Sequence, residues 1–397
     1  MAAGALDGIR VLDLGTRIGA PFAATLLGEL GADVIKIEQP GTGDFLRTIP
    51  PFDGEVSLFW AVEGRGKRSV TIDLSQPRGQ ELLRKLVVHA DVLVENFQPG
   101  TLERWHLAPG DLRALNPRLV LSRVSVYGQD GPYRDRPGLD RNGIALGGLL
   151  GITGYPESPP VRPGVIVADY LTALFNTIGV LAALVERTRS GEGQQVELAL
   201  YESVLRIMEW TVAAYDRLGI VRERAGNRLP NSAPLDNYET ADGRYVCIAA
   251  AGDVLFPRLC RAIGREDLPA DPRFSSLERR ASNADAINEI VAEWCRSRSA
   301  AEAEETMIAN QVPVSLVYAI DEILADPQVQ AREAVVTVDD PSLGPVRQQA
   351  PVPRLDRTPL QVERGAPRLG EHTDEVLRTL LELGDDEIAS LRSDGVI

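Results

Sequence analysis

Histidine and cysteine are both scarce, three of each in 397 residues. The cysteines, Cys247, Cys260 and Cys295, are odd in number and form no CxxC pair. That argues against a disulfide framework and against a zinc site. His89, His106 and His372 leave few candidates for an imidazole base or a His-rich centre, and no metal is expected. Basic residues are outnumbered, 42 Lys and Arg against 57 Asp and Glu, for a net charge of −15. Nonspecific nucleic-acid binding needs a basic face to release counterions, so it is disfavoured. The opening MAAGALDGIR has no apolar signal core, and no run approaches a membrane span. The expectation is a cytoplasmic enzyme with neither nucleic acid nor membrane as partner.

What is present is an alternation of short apolar strands and helices. Ile9–Leu14, Val34–Ile37, RSVTIDL, ADVLVENF and RLVLSRVSVYG read as strands. Between them, a helix opens at Pro21 and ends at Gly31, and another spans Pro77 to His89. Such alternation implies a parallel sheet in an α/β domain. Further on, Val165–Val167 reads as a strand running into a long apolar helix, with Asp169 at the joint. GEGQQVELALYESVLRIMEW then reads as a strand followed by a long helix. Tyr238 to about Asp326 has a different texture, a strand pair around DGRYVCIAA followed by helices. The stretch from Asp326 to Gly365 suits an extended return segment, and APRLGEHTDEVLRTLLELG closes with a helix capped near Thr373 or Asp374. The division expected is 1–225 as the first part of a large α/β domain, 226–326 as a small α+β domain, and 327–397 as a return linker with the rest of the large domain.

The first strand–turn–helix–strand, ending in Glu38, imitates a dinucleotide-binding unit. Its turn, GTRIGAP, lacks the GxGxxG pattern, and Pro21 falls where the phosphate-cradling helix should open. Its glycines fit a tight turn or the close approach of another ligand. Asp169 on spacing alone reads as a helix cap, a common task for aspartate.

Several segments, taken together and in order, resemble the class III CoA-transferase family of the CaiB/BaiF type, which includes formyl-CoA transferase. They are LDGIRVLDLG, LGADVIKIEQPGTGD, GKRSVTIDL, ADVLVENFQPGTLERW, NPRLVLSRVSVYGQDGPY, the Asp169 segment, RLCRAIGREDLPADPRF, DPQVQAR and APRLGEHTDEVL. The resemblance covers nearly the whole chain, and ENFQPG and LGEHTDEVL are its most specific parts. It implies a large Rossmann-like domain built from both chain ends, a smaller inserted α+β domain, and a ring-like chain interlocked in a homodimer. It also implies coenzyme A as a substrate, with no tightly bound cofactor, and a carboxylic acid as the second partner.

The aspartate matching the family's nucleophile is Asp169. A carboxylate suits that task because it can attack a thioester and later leave from an anhydride. The resemblance also places Asp140 in the reaction site. It places Ile18, Gln39, Ile72, Asp73, Leu74, Ser75, Asn96, Phe97 and Arg104 against CoA, with Arg104 on a phosphate and Ile72 and Phe97 flanking the adenine. Asn231 and Ser232 line the acyl pocket on this reading, with a plain linker as the competing one. The chain departs from formyl-CoA transferases at four places: Ile18 stands for a glutamine, Gln39 for an arginine, and Pro137 and Leu139 for a lysine and a tyrosine. Arg17 and Lys67 are candidates to replace the lost cation. The glycine-rich covering loop is also missing, so a formyl-CoA and oxalate pair is not supported. Arg47, Arg141 and Arg228 are candidates for holding a dicarboxylate, while GIALGGLLGITG would suit an apolar acid. We take succinyl-CoA as the donor on metabolic economy rather than on any residue. The alternative is a 2-methylacyl-CoA racemase of the same fold, whose histidine would fall where Leu139 stands.

Overall fold

In the computed structural model, residues 4–397 are described. Six parallel strands form the main sheet: β1 (Arg10–Asp13), β2 (Asp33–Glu38), β3 (Lys67–Thr71), β4 (Val92–Glu95), β5 (Val120–Ser125) and β6 (Gln195–Ala199). Their spatial order is β3-β2-β1-β4-β5-β6. The central strands are buried on both faces, as expected of a parallel sheet covered by helices. Register places Leu12 beside both Ile35 and Leu93, so the core runs unbroken across β2, β1 and β4. The order reverses between β1 and β4, and open α/β sheets bind ligands at that point, beyond the carboxyl ends of the strands.

Around the sheet lie α1 (Pro21–Glu29), α2 (Leu58–Glu63), α3 (Pro77–Val88) and α4 (Thr101–Arg104). They are followed by α5 (Asp140–Leu146), α6 (Val167–Ser190) and α7 (Leu200–Arg206). Proline at the start of α1 and α3 costs nothing, because the first-turn N–H has no helical partner.

Helix α6 departs from two expectations. Val167 is its first residue, and Val165 is exposed, so Val165–Val167 is not a strand. It is also long and apolar enough to span a membrane by length and composition, with mean hydropathy 1.6, although no such run was expected. Its inner face, however, mixes Ala168, Ala173, Val180, Ala183 and Leu184 with polar side chains. Thr172, Asn176, Thr177 and Arg187 are buried. Asn176 Oδ1 accepts a 2.6 Å hydrogen bond from Ser122 of β5, and Arg187 pairs with Asp91 at 2.9 Å. Its outer face carries exposed Leu174, Ile178 and Val185. Gly179 permits the close approach to β6, since a Cβ there would stand 2.7 Å from Val196.

The chain divides into two units. The first takes residues up to Leu149, Pro163–Ala214 and Ala331–Ile397. The second takes Leu150–Arg162 and Tyr215–Gln330. In the second, β7 (Leu235–Glu239), β8 (Tyr245–Ala249) and β9 (Val314–Leu316) form an antiparallel sheet with β8 in the centre. Helices α8 (Leu255–Ala262), α9 (Ala284–Arg296) and α10 (Ala300–Ala309) supply its core with Phe256, Leu259, Ile287, Val291 and Met307.

The return segment is less extended than expected. It forms an antiparallel hairpin, β10 (Val335–Asp340) and β11 (Gly344–Gln349), whose turn is made by Asp340 accepting from the N–H groups of Ser342 and Leu343. Two helices close the chain, α11 (Thr373–Leu381) and α12 (Asp385–Ser393), where one was expected. The LGEHTDEVL motif covers the open edge of β3. Gly370 N–H donates to Ser69 Oγ, His372 N–H to the Ser69 carbonyl, and Thr373 Oγ1 accepts from Thr71 N–H. An uncovered edge strand invites pairing with other chains, which explains why these residues sit there. The expected long helix after β6 breaks after Arg206.

Candidate active site

The turn after β1, Leu14–Ala20, is the centre of the site. Side chains from outside the turn hold the backbone of Gly15, Thr16 and Arg17. Asp13 Oδ1 accepts from Gly15 N–H at 3.0 Å, and Lys36 Nζ donates to the Gly15 carbonyl. Asn96 accepts from Thr16 N–H and donates to the Thr16 carbonyl, each at 2.8 Å, bridging β4 to β1 across the switch point. Asp44 Oδ1 accepts from Arg17 N–H at 3.1 Å. The charges balance below the turn. Lys67 pairs with Asp13 at 2.9 Å, and Lys36 with Asp44 at 3.0 Å and Asp13 at 3.6 Å. These four side chains are almost wholly buried, where an unpaired charge would be costly.

Asp169 faces this turn from the first turn of α6. A Cβ built on Gly19 would lie 3.0 Å from Asp169 Oδ1, so any side chain there would force the carboxylate to shift. Asp169 does not cap the helix. The cap position is Ile166, without a side-chain bond, and the free N–H groups of Ala168 and Asp169 are met by Asp140 Oδ1 at 2.7 and 3.4 Å. The capping task has passed to Asp140 at the start of α5, which leaves the Asp169 carboxylate without a structural duty. Burial, then the nearby negative charge of Asp140, push its pKa up to about 7, against the pull of Arg17. The apolar ground beneath is Ile18, Leu46, Trp60 and Ala366, with Phe22, Ile166 and Tyr170 packed against them. Tyr170 donates to Glu63 Oε1 at 2.7 Å and meets Phe22 edge-on, tying α6 to α1 and α2.

Beyond the ends of β1 to β4 lies a cavity of about 210 Å³ lined by Thr16, Gln39, Ile72, Leu74, Phe97 and Trp105, among others. Phe97 and Trp105 meet edge to face, 5.1 Å between centroids. A second cavity of about 250 Å³ shares Phe97 and adds Asn96, Ser125, Arg134 and Arg136. Arg104 is exposed and folds back on its own turn, donating to Thr101 Oγ1 at 2.7 Å.

Four of the expected CoA residues, Gln39, Ile72, Leu74 and Phe97, therefore share one cavity. The others are placed differently. Ile18 is buried in the apolar ground. Asn96 spends its amide on Thr16. Asp73 and Ser75 are spent on each other, with Ser75 Oγ donating to Asp73 Oδ1 at 2.6 Å and Gln76 to Asp73 Oδ2, which shapes the entry to α3. Lys67 is too deep to replace a lost phosphate contact. Arg47 is bound to both oxygens of Glu38 at 2.7 Å and stacked on Trp60, and Arg228 is paired with Asp236 and Asp285. Neither is free for a dicarboxylate. Glu38 is spent likewise, on Arg47, Ser69 and Asp44 N–H, and has no oxygen left for a ribose. Asn231 and Ser232 lie in the second unit on a short turn closed by a Leu229–Ser232 bridge. The reading of the sequence missed Trp105 and the Tyr170–Glu63 tie, although a tyrosine directly after the nucleophile candidate was a signal.

Residues 6–373 match the family model for CoA-transferase family III. Succinyl-CoA–D-citramalate CoA-transferase of Chloroflexus aurantiacus is 43% identical over 394 residues, covering 99% of this chain and 98% of that protein. The beta subunit of succinyl-CoA–L-malate CoA-transferase from the same organism is 45% identical over 397 residues, with the same coverage. Among solved structures, a CaiB/BaiF family protein from Brucella suis superposes with a TM-score of 0.85 at 32% identity, over 96% of this chain and 100% of that one. The chain belongs to CoA-transferase family III, and it is a CoA-transferase of the CaiB/BaiF fold.

Proposed function

We propose that the protein moves CoA from succinyl-CoA to a second carboxylic acid through covalent intermediates on Asp169. The carrying observation is that Asp169 is a half-buried carboxylate with no capping duty, held against Gly19. A carboxylate with a pKa near 7 is about half ionised at neutral pH, yet poorly solvated, and both properties favour attack. Asp169 attacks the thioester carbonyl, expelling CoA thiolate and leaving a mixed anhydride. The thiolate attacks the aspartyl carbonyl of that anhydride, which releases succinate and leaves an aspartyl-CoA thioester. The acceptor carboxylate attacks this thioester, again forming an anhydride and thiolate, and the thiolate takes the acyl group away as the new acyl-CoA. Each step exchanges one acyl bond for another, so no oxidant, metal or net proton is needed.

The apolar cavity by Ile72, Leu74, Phe97 and Trp105 suits adenine. Arg104, Arg134 and Arg136 suit the phosphates, as guanidinium pairs well with phosphate oxygens. Asp140 acts on the reaction by holding the start of α6. Both Chloroflexus relatives are named for succinyl-CoA and for dicarboxylic acids, citramalate and malate, and this supports the donor and a dicarboxylic acceptor. The exposed Leu174, Ile178 and Val185 of α6 support a homodimer. We keep a cytoplasmic setting as part of the same reading. A racemase would need a histidine here, and His372 instead accepts from Ser69 N–H at the edge of β3.

Incubation with succinyl-CoA, quenching with hydroxylamine and peptide mass spectrometry tests the mechanism. A hydroxamate on Asp169 is the expected product. Turnover with no modification at Asp169 would contradict it.

A further inference from the structure

The turn after β1 contains one side chain that the fold does not explain. Arg17 adopts a left-handed backbone, φ 66°, which a non-glycine residue seldom takes. Its backbone is held there by Asp44, through its N–H. Its guanidinium lies over the Phe45 ring, 3.8 Å from the centroid, and that ring is itself exposed. Among the described residues no carboxylate pairs with it, and none of its side-chain N–H groups has a hydrogen-bond partner. Yet it stands two residues from Gly19, against which the Asp169 carboxylate lies, and its charge acts on that carboxylate. The other cations around this turn are committed: Lys36 and Lys67 to Asp13 and Asp44, Arg47 to Glu38, and Arg65 to Glu29.

A dicarboxylic acid presents two carboxylates. One exchanges CoA with Asp169, and the other must be met by a cation if it is to enter a site with apolar ground beneath it. A guanidinium held flat by an aromatic ring offers a fork of donors matched to a carboxylate. Resting on the proposed CoA-transfer function, we infer that Arg17 is the specificity-determining residue that binds the distal carboxylate of a dicarboxylic substrate. The strained backbone is then a means of turning a long cation toward the reacting group, held by Asp44 from below.

The test compares acceptors at fixed donor. With propionyl-CoA as donor, kcat/KM is measured for succinate and malate against butyrate, in wild type, Arg17→Asn and Arg17→Lys. Asparagine tolerates the left-handed backbone, so the turn is kept, and melting curves check the fold. The expected result is that the dicarboxylate-to-monocarboxylate ratio falls by about 50-fold or more in Arg17→Asn. Arg17→Lys should recover part of it, because it keeps the charge but not the fork. An unchanged ratio overturns the inference, whether both acids hold or both fall. So does a rise in KM for propionyl-CoA with the ratio intact, which would assign Arg17 to a CoA phosphate. Wild-type enzyme that uses butyrate but not succinate or malate overturns the inference and leaves the aspartyl mechanism standing. Wild-type enzyme that transfers CoA to none of these acids, with succinyl-CoA as well as propionyl-CoA as donor, overturns the transfer reading itself.

Discussion

Replacing Asp169 with asparagine should destroy activity and stabilise the protein, both for one reason. In the folded chain the carboxyl titrates near 7, raised by burial and by Asp140, against about 3.9 in an unfolded chain. Between these values the folded state holds a proton that the unfolded state has lost. Stability therefore falls as pH rises from about 4 to about 7, and the cost is complete above 7. Three pH units at about 1.4 kcal/mol each set a ceiling of about 4 kcal/mol. Relaxation of the site and residual solvent access lower the expected value to about 2 kcal/mol. The amide has the same shape and no charge, so Asp169→Asn removes the cost. Its melting temperature should exceed that of wild type by about 2–5 °C at pH 8, and the difference should vanish by pH 4. The assay is thermal unfolding of both proteins across pH 4–8, with CoA transfer measured in parallel. A stability difference that ignores pH, or a variant less stable than wild type at pH 8, would refute the reasoning, as would retained transfer. In wild type, kcat/KM should climb up to about pH 7, as the attacking carboxylate ionises.

Other outcomes follow from the same geometry. Gly19→Ala pushes a methyl group against Asp169 Oδ1, so kcat should fall at least 100-fold with melting nearly unchanged, by steady-state kinetics and calorimetry. Tyr170→Phe strands Glu63, whose Oε2 already lacks a partner, and should cost about 1–3 kcal/mol in urea unfolding. Lys67→Met leaves Asp13 short of a buried cation and should cost about 3–5 kcal/mol by the same measurement. Arg104→Ala, exposed and outside the core, should leave the unfolding midpoint unmoved and raise KM for the acyl-CoA, more at low salt than at high.

The layered α/β pattern was legible because buried parallel strands read as apolar runs, and Pro21 and Pro77 mark helix starts. Asp169 was legible only through resemblance, because a first-turn aspartate looks like a cap until Asp140 is seen occupying that post from 29 residues upstream. The motifs themselves were misread in part. Asn96, expected to meet CoA, meets the Thr16 backbone, and Lys67, a candidate phosphate cation, pairs with Asp13, since no local pattern reveals a contact between strands 54 residues apart. Helix α6 misled for a related reason. It leaves Leu174, Ile178 and Val185 exposed while burying Thr172, Asn176 and Arg187 beside Val180 and Leu184, because Asn176 answers a serine on β5 and Arg187 pairs with Asp91.

The pinned turn also bears on how such an enzyme can change its diet. The fixtures that hold Gly15, Thr16 and Arg17 grip backbone atoms, and they come from Asp13, Lys36, Asp44 and Asn96, none of which is in the turn itself. The side chain at position 17 can thus be exchanged without redrawing the path of the chain, provided the newcomer accepts a positive φ. On the proposed mechanism the two kinds of information are stored apart: the place of the nucleophile in a buried lattice of ions that must change together, and the choice of acid in a single half-buried residue that can change alone. Enzymes built this way can drift among acids one substitution at a time while the chemistry stays where it was.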